Sequence, residues 1–325
     1  MAIFYLQIQD VSRGAGRSAV AAAAYRAGER LRDERTGTLY NHSRRTDVRH
    51  TEILLPRGVA GSDPGWAAER ASLWNAAERA ELRRNARVAC EYQVALPAEL
   101  NDTQRLELAR SFARELAHRH GVAVDLAVHA PRAGGDARNH HAHLLATTRQ
   151  VTATGFGAKA GLHMQAEQRL QLGLPDRIAE MVAIRARWAA LSNEALAAAG
   201  LQQRIDHRSL RAQGIDREPL PRIPIASVQI ERRGAVSPVA QRIRAQYRDR
   251  VQQRRARAPA TPAARSAAAP TELEDIRRQA REAWLELRRQ SAQPPSAAAS
   301  SPYIEESPSK AQPEATPKAD RDLAL

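Results

Sequence analysis

Apolar and polar positions alternate from the amino end. Phe4, Leu6 and Ile8 fall on one side of an extended segment and Ile3, Tyr5 and Gln7 on the other, which predicts a strand over residues 2–8. A basic connection, SRGAGRS at residues 12–18, leads into an alanine-rich run from Ala19 with strong helix propensity and Ser18 as its cap. Residues 38–47 are polar and read as a loop. Residues 50–56 (HTEILLP) read as a second strand, with Glu52 on the side of His50, and residues 87–96 (RVACEYQVAL) as a third. Helical spacing spans residues 64–86, with Trp66, Trp74, Ala77 and Leu82 on one face. It returns over residues 101–120, where Leu106, Leu108, Ala109, Phe112, Leu116 and Ala117 make the stripe behind a cap at Asn101 or Thr103. Two more alternating runs, residues 122–130 and 141–149, flank PRAGGDARN, whose Pro, Gly, Asp and Asn make a turn. GFGAKAG at residues 155–161 reads as a mobile loop, and residues 177–199 as a long helix holding Trp188. Strands interleaved with helices, several of them half-polar, predict an α+β class: a largely antiparallel sheet backed by helices.

Beyond about residue 224 the composition turns to Arg, Gln, Ala and Pro. Residues 238–257 predict a basic helix, residues 271–290 a charged amphipathic one, and residues 293–325 a disordered tail. The expected organisation is a catalytic-size domain over residues 1–224, a basic helical and linker region over 225–292, and the tail over 293–325.

The turn at PRAGGDARN carries the most informative chemistry. Because successive strand side chains point to opposite faces, His141 and His143 emerge together while His140 and Ala142 emerge on the other side. On the partner strand Val124, Leu126 and Val128 share one face, and Asp125, Ala127 and His129 the other. Burying the apolar set brings His129 opposite the histidine pair, so three nitrogen donors surround one point on an uncovered sheet face. Two histidines at this spacing are by themselves more often a satisfied pair than ligands; the third, placed by register, carries the metal reading. His42, His50, His118, His120, His163 and His207 read as ordinary surface or helix-end residues, and so does His140, apart from a candidate phosphate contact.

Charge narrows the partner. Fifty Lys+Arg against 36 Asp+Glu give a formal charge of +14, with a pI near 11.0 and only 4% aromatics, which points to nucleic acid held through its phosphates. An anionic membrane is the alternative, but there is no long apolar run or signal-like segment to support it. The single cysteine, Cys90, excludes an intramolecular disulfide framework and Cys-based zinc knuckles, falls among apolar strand positions, and fits residence in the cytoplasm.

A divalent cation on the three histidines would polarise a phosphate oxygen and offset charge in an in-line displacement. The nucleophile is then sought among few residues. SRGAGRS lacks the Lys and spacing of a Walker A loop, no Ser sits in an elbow motif, and Cys90 reads as core. Tyr25 remains, its helical neighbours Ala21, Ala22 and Gly28 leaving the phenol unobstructed. A tyrosine in a helix is ordinarily a half-buried packing residue; beside a metal site on a basic chain it becomes a candidate for covalent attack on a phosphodiester. Glu91 is the candidate base, or the group that orients a histidine, against the plain reading of a solvent-facing strand carboxylate. Arg13, Arg17 and Lys159 are candidate phosphate contacts.

Six segments in order, SRGAGRSAVAAAAYRAG, HTEILLP, ALPAEL, VHAPRAGGDARNHHAHLLATTR, GFGAK and IDHRSLRAQGI, run from near the start to Ile215. Together they resemble the MobA/MobL relaxases of mobilisable plasmids, the MobQ-type group of HUH endonucleases. The resemblance implies the HUH relaxase fold, Tyr25 as the strand-transfer nucleophile, His141 and His143 as the paired histidines with His129 as third ligand, and Glu91 as the acidic residue before the ALP segment. It implies strand-specific nicking and rejoining at a plasmid transfer origin for conjugative mobilisation, with the tyrosine joined to the 5′ phosphate and a free 3′ hydroxyl. Tyr25 precedes the histidines as in relaxases, whereas rolling-circle replication initiators and small HUH transposases place the Tyr helix after them. Those two, with the same chemistry, and a non-catalytic DNA-binding accessory protein whose histidines hold a structural ion are the alternatives. The family uses Mg²⁺ or Mn²⁺, whereas imidazoles alone favour Zn²⁺ or another softer ion; Mn²⁺ fits both. Implied partners are single-stranded origin DNA, steered by Arg13, Arg17, Arg138 and Lys159, together with accessory mobilisation proteins, a coupling protein and a type IV secretion system, without stable membrane insertion. Passage into a recipient cell with the DNA extends the cytoplasmic expectation. No second Walker-bearing domain is evident, so unwinding is expected from another protein.

Overall fold

Strand and helix periodicities resolve, in chain order, into β1 (Leu6–Ser12), α1 (Ala19–Ala27), β2 (Arg30–Arg32), β3 (Leu39–Asn41), β4 (Val48–Leu54), α2 (Gly65–Ala68), α3 (Arg70–Arg79), β5 (Arg87–Ala95) and α4 (Asp102–His120). There follow β6 (Val124–His129), β7 (His141–Thr147), β8 (Arg149–Val151), β9 (Phe156–Lys159), α5 (Ala166–Gln171), α6 (Arg177–Ala198), α7 (Ile225–Arg232) and α8 (Pro238–Arg257). The computed structural model describes residues 2–59, 64–132, 134–257 and 282. The helix expected at residues 271–290, Glu282 excepted, and the tail at 293–325 lie outside them. Among the described residues no helix is long and apolar enough to cross a membrane.

The class is α+β, with a five-stranded sheet in the order β1-β5-β7-β6-β4 and every neighbouring pair antiparallel. One sheet face carries Leu6, Tyr92, Val94, Leu126 and Leu144 and packs against Phe112 and Leu116 of α4 and Ile184 and Trp188 of α6. The other carries Val11, Ala89 and Leu145 and packs against Val20 and Ala23 of α1 and Leu73 and Trp74 of α3. The histidine-bearing face is therefore partly covered by α1 and α3, against the expectation of an open one: an alanine-rich helix has no bulky side chains to hold it off the sheet.

Several boundaries differ from the sequence pattern. The first strand lies four residues later than its apolar run, because the pairing from Leu6↔Val94 to Asp10↔Cys90 carries its polar end. The polar loop at 38–47 contains β3, paired with β2. The helix expected at 64–86 ends at Arg79, leaving Leu82 95% exposed. The segment expected as a mobile loop at 155–161 contains β9, paired with β8. Short ribbons like these are fixed by neighbours, not by a period of their own.

Asp125 shows how charge is used inside. It is 5% exposed and accepts from Arg70 at 2.8 and 2.9 Å and from Trp74 Nε1 at 2.9 Å, which ties α3 to β6. Asp125→Ala leaves the buried Arg70 guanidinium with Glu29 as its remaining carboxylate partner and strands an indole N–H. The expected loss is about 3–5 kcal/mol, read as a lower urea midpoint.

At the end of α4, burial is the chief cause that pushes His120 down to about 4 from 6.5, with Glu180 opposing and Arg119 assisting. The unfolded chain therefore takes up a proton that the folded chain refuses as pH falls from 6.5 to 4. Stability at pH 7 should fall across that window by about 2–3 kcal/mol from this residue. His120→Gln should flatten that part of the urea-midpoint profile.

Candidate active site

The hairpin of β6 and β7 pairs His129↔His141 and Ala127↔His143, so all three predicted imidazoles share one face. Their ring centroids are 4.8 to 5.2 Å apart, and one nitrogen of each lies within 4.8 Å of the others. His129 is 1% exposed and His143 9%.

Each ring has one nitrogen committed to an acceptor. His143 Nδ1 faces Glu91 Oε1 at 2.6 Å, His141 Nδ1 faces the Asn139 carbonyl at 2.9 Å, and His129 Nε2 faces the Arg26 carbonyl at 2.7 Å. Those nitrogens must donate, which leaves His143 Nε2, His141 Nε2 and His129 Nδ1 with lone pairs in the neutral rings. Burial holds His129 down at about 3, with the charge of His143 as the next cause, and burial likewise lowers His141. Both are therefore neutral near pH 7, the state in which imidazole binds metal. A donor set of three imidazoles, oriented by a carboxylate and two carbonyls, fits a divalent cation.

Glu91 lies in hydrogen-bond contact with His143. Burial on its own would raise its carboxyl pKa, but hydrogen bonds from His143 and Arg26 prevail and bring it to about 2. Arg26 Nε donates to Oε1 at 2.5 Å, and Nη2 pairs with Oε2. Both of its oxygens are thus occupied, Oε1 by His143 and Arg26 and Oε2 by Arg26.

Tyr25 lies on the outward side of α1 and is 38% exposed. Ser18 caps the helix by accepting from Ala21 N, and Gly28 ends it in the left-handed region, at φ 67°, where a Cβ would meet Val48 Cγ2 at 3.2 Å. The phenol oxygen accepts from Arg132 Nη2 at 2.7 Å, while Arg45 lies over the ring at 4.2 Å and reaches 3.4 Å from His129 Nδ1. Arg45 is held by Asp47, whose carboxyl lies well below the usual range chiefly because of that hydrogen bond. Tyr25, Arg44, Arg49 and Arg132 line an open groove of about 690 Å³.

The expected phosphate contacts are redistributed. Arg13 turns inward to Glu78 (2.7 Å) and the Glu81 carbonyl (2.7 Å), and Glu78 also accepts from Ala19 N, so the loop fastens the start of α1. Lys159 donates to Glu81 at 2.6 Å and Thr148 at 3.0 Å. Both are thus engaged by carboxylates of the protein itself. Arg138 is exposed but paired with Asp136 at 2.8 Å, and Arg17 is exposed. His120 and His163, read from sequence as surface or helix-end residues, have side chains 8% and 5% exposed. Sequence reasoning missed Arg26, Arg45, Asp47 and Arg132. Only Arg26, adjacent to Tyr25 in a helix, offered a signal.

A family model described as the MobA/MobL family matches residues 17–233. The chain is 38% identical over 257 residues to "Mobilization protein MobL" of Acidithiobacillus ferridurans, covering 72% of this chain and 65% of that one. It is 34% identical over 268 residues to "Probable mobilization protein MobA" of Bifidobacterium longum, covering 73% and 46%. The chain thus spans less than two thirds of either relative. Among solved structures, one from "Molecular Basis of Vancomycin Resistance Transfer in Staphylococcus aureus" superposes with a TM-score of 0.52 at 28% identity, covering 64% of this chain and 100% of that one.

Proposed function

The chain belongs to the MobA/MobL family, and from that premise we propose that it is a relaxase, cutting and rejoining one DNA strand at a plasmid transfer origin for mobilisation. The observation that supports this most is the meeting of three imidazoles, each with one nitrogen committed to an acceptor, beside an exposed tyrosine held by two guanidiniums. Tyr25 is the nucleophile: its oxygen bonds to phosphorus as the bond to the 3′ oxygen breaks. The phenol proton passes to solvent and the 3′ oxygen is protonated, so charge balances. Arg132 donates to the phenol oxygen and positions it. Arg44, Arg49 and Arg132 meet the phosphates of single-stranded DNA, and the exposed Arg17 is a further contact.

His129, His141 and His143 hold the divalent ion, for which Mn²⁺ satisfies both the imidazole donors and the phosphate substrate. When bound, it supplies Lewis-acid polarisation of a non-bridging phosphate oxygen. Glu91 positions His143. Glu91→Gln keeps the shape but removes the charge, and should weaken Mn²⁺ binding about 10–100-fold by calorimetry. The relaxase portion occupies residues 1–224, acts in the cytoplasm, and works with accessory mobilisation proteins and a secretion apparatus.

The test is incubation with a labelled single-stranded origin oligonucleotide and Mn²⁺. A covalent adduct whose peptide maps to Tyr25, with a released 3′ hydroxyl fragment, is expected. Binding without any adduct would leave the accessory-protein reading instead.

A further inference from the structure

Cys90 precedes Glu91 on β5, so its side chain leaves the sheet on the face opposite the three histidines. Its cross-strand partner is Asp10 of β1, and a single helical turn, Gly161–His163, brings His163 to the same place. A carboxylate oxygen of Asp10, the sulfur of Cys90 and a ring nitrogen of His163 all lie within 4.8 Å of one another. The site is enclosed: Cys90 is 1% exposed, and the side chains of His163 and Asp10 are 5% and 20% exposed.

Two of these donors lack hydrogen-bond partners. Arg87 at 3.0 Å and Arg177 at 3.4 Å engage Asp10 Oδ2, whereas Asp10 Oδ1 and His163 Nε2 are buried and unpaired. They stand 3.6 Å apart, beyond a hydrogen bond. Two N/O ligands of a tetrahedral zinc-sized ion, each about 2.0–2.1 Å from it, are separated by about 3.3–3.4 Å, so little movement would seat one. A cavity of about 10 Å³, close to the room one water needs, borders Cys90 and His163.

We propose that Asp10, Cys90 and His163 form a structural site for a zinc-class divalent cation, distinct from the three-histidine site. One sulfur, one nitrogen and one oxygen donor suit Zn²⁺. Binding transfers the thiol proton to solvent, and thiolate and carboxylate together match the ion's double charge. Burial otherwise pushes the thiol up to about 12, so the ion would supply the stabilisation the thiolate lacks alone. Arg87 and Arg177 oppose a cation, but they occupy the other carboxylate oxygen. The site would pin the turn at Gly161–His163 to the β1–β5 edge, directly behind Glu91.

Cobalt separates the two sites. Cys90 is the only cysteine in the sequence, so a thiolate-to-cobalt charge-transfer band in the near ultraviolet can arise from this cluster and not from three imidazoles. Metal-stripped full-length protein titrated with Co²⁺ should develop that band to one equivalent, and Zn²⁺ should bleach it. The band should persist in His141→Ala/His143→Ala and vanish in Cys90→Ser. His163→Ala should weaken cobalt binding at least the roughly tenfold that loss of an outer-shell partner costs. No band on the wild-type chain overturns the proposal whatever the variants do, and so does a band unchanged by both His163→Ala and Asp10→Asn.

Discussion

Tyr25→Phe should abolish the covalent protein–DNA adduct, by at least about 10³-fold, while single-stranded DNA binds almost as before. The ring stays, and with it the stacking of Arg45 at 4.2 Å; only the oxygen and its 2.7 Å bond from Arg132 are lost. Because α1 packs through Val20, Ala23 and Ala24 and not through the tyrosine, the fold has no reason to change. Adduct yield on a denaturing gel with end-labelled oligonucleotide, and fluorescence anisotropy for binding, separate the two effects. An undiminished adduct removes Tyr25 from the reaction and directs attention to another hydroxyl.

The paired replacement His141→Ala/His143→Ala should be comparably severe, with nicking down by about 10³-fold or more at any practical Mn²⁺ concentration. A single remaining imidazole, His129, cannot retain the ion. The fold should persist, since Glu91 keeps its bidentate partner Arg26 and His141 is only half-buried. Near-ultraviolet circular dichroism checks that directly. His141→Ala alone, the more exposed ligand, should be partly rescued by excess Mn²⁺. Nicking that survives in the double variant places the reaction elsewhere.

How much of this was legible in the chain depends on whether a period or a neighbour fixes each part. Alternation in residues 122–130 and 141–149 fixed which faces the histidines occupy, and the observed register His129↔His141 agrees. Helix α4 was readable from its stripe and from Asn101, which forms a capping box with Gln104. The arginines that surround Tyr25 were not readable. Arg45 and Arg132 come from irregular segments whose paths depend on Asp47 and on the β6–β7 turn, and no local spacing encodes that meeting. Arg13 and Lys159 illustrate the converse. In a chain with fifty basic residues many must be neutralised internally, and the buried or half-buried partners Glu78 and Glu81 are remote in sequence from the cations they hold. Composition reveals excess charge but not which cations face outward.

Arg26 touches the central sheet twice, with its guanidinium on Glu91 of β5 and its carbonyl on His129 Nε2 of β6. The tyrosine next to it is consequently registered to the sheet by main chain as well as by side chain. Anyone grafting the amino-terminal helix of one relative onto the body of another must move the Arg26–Glu91 pair as a unit, or the chimera will present its phenol out of alignment even if it folds.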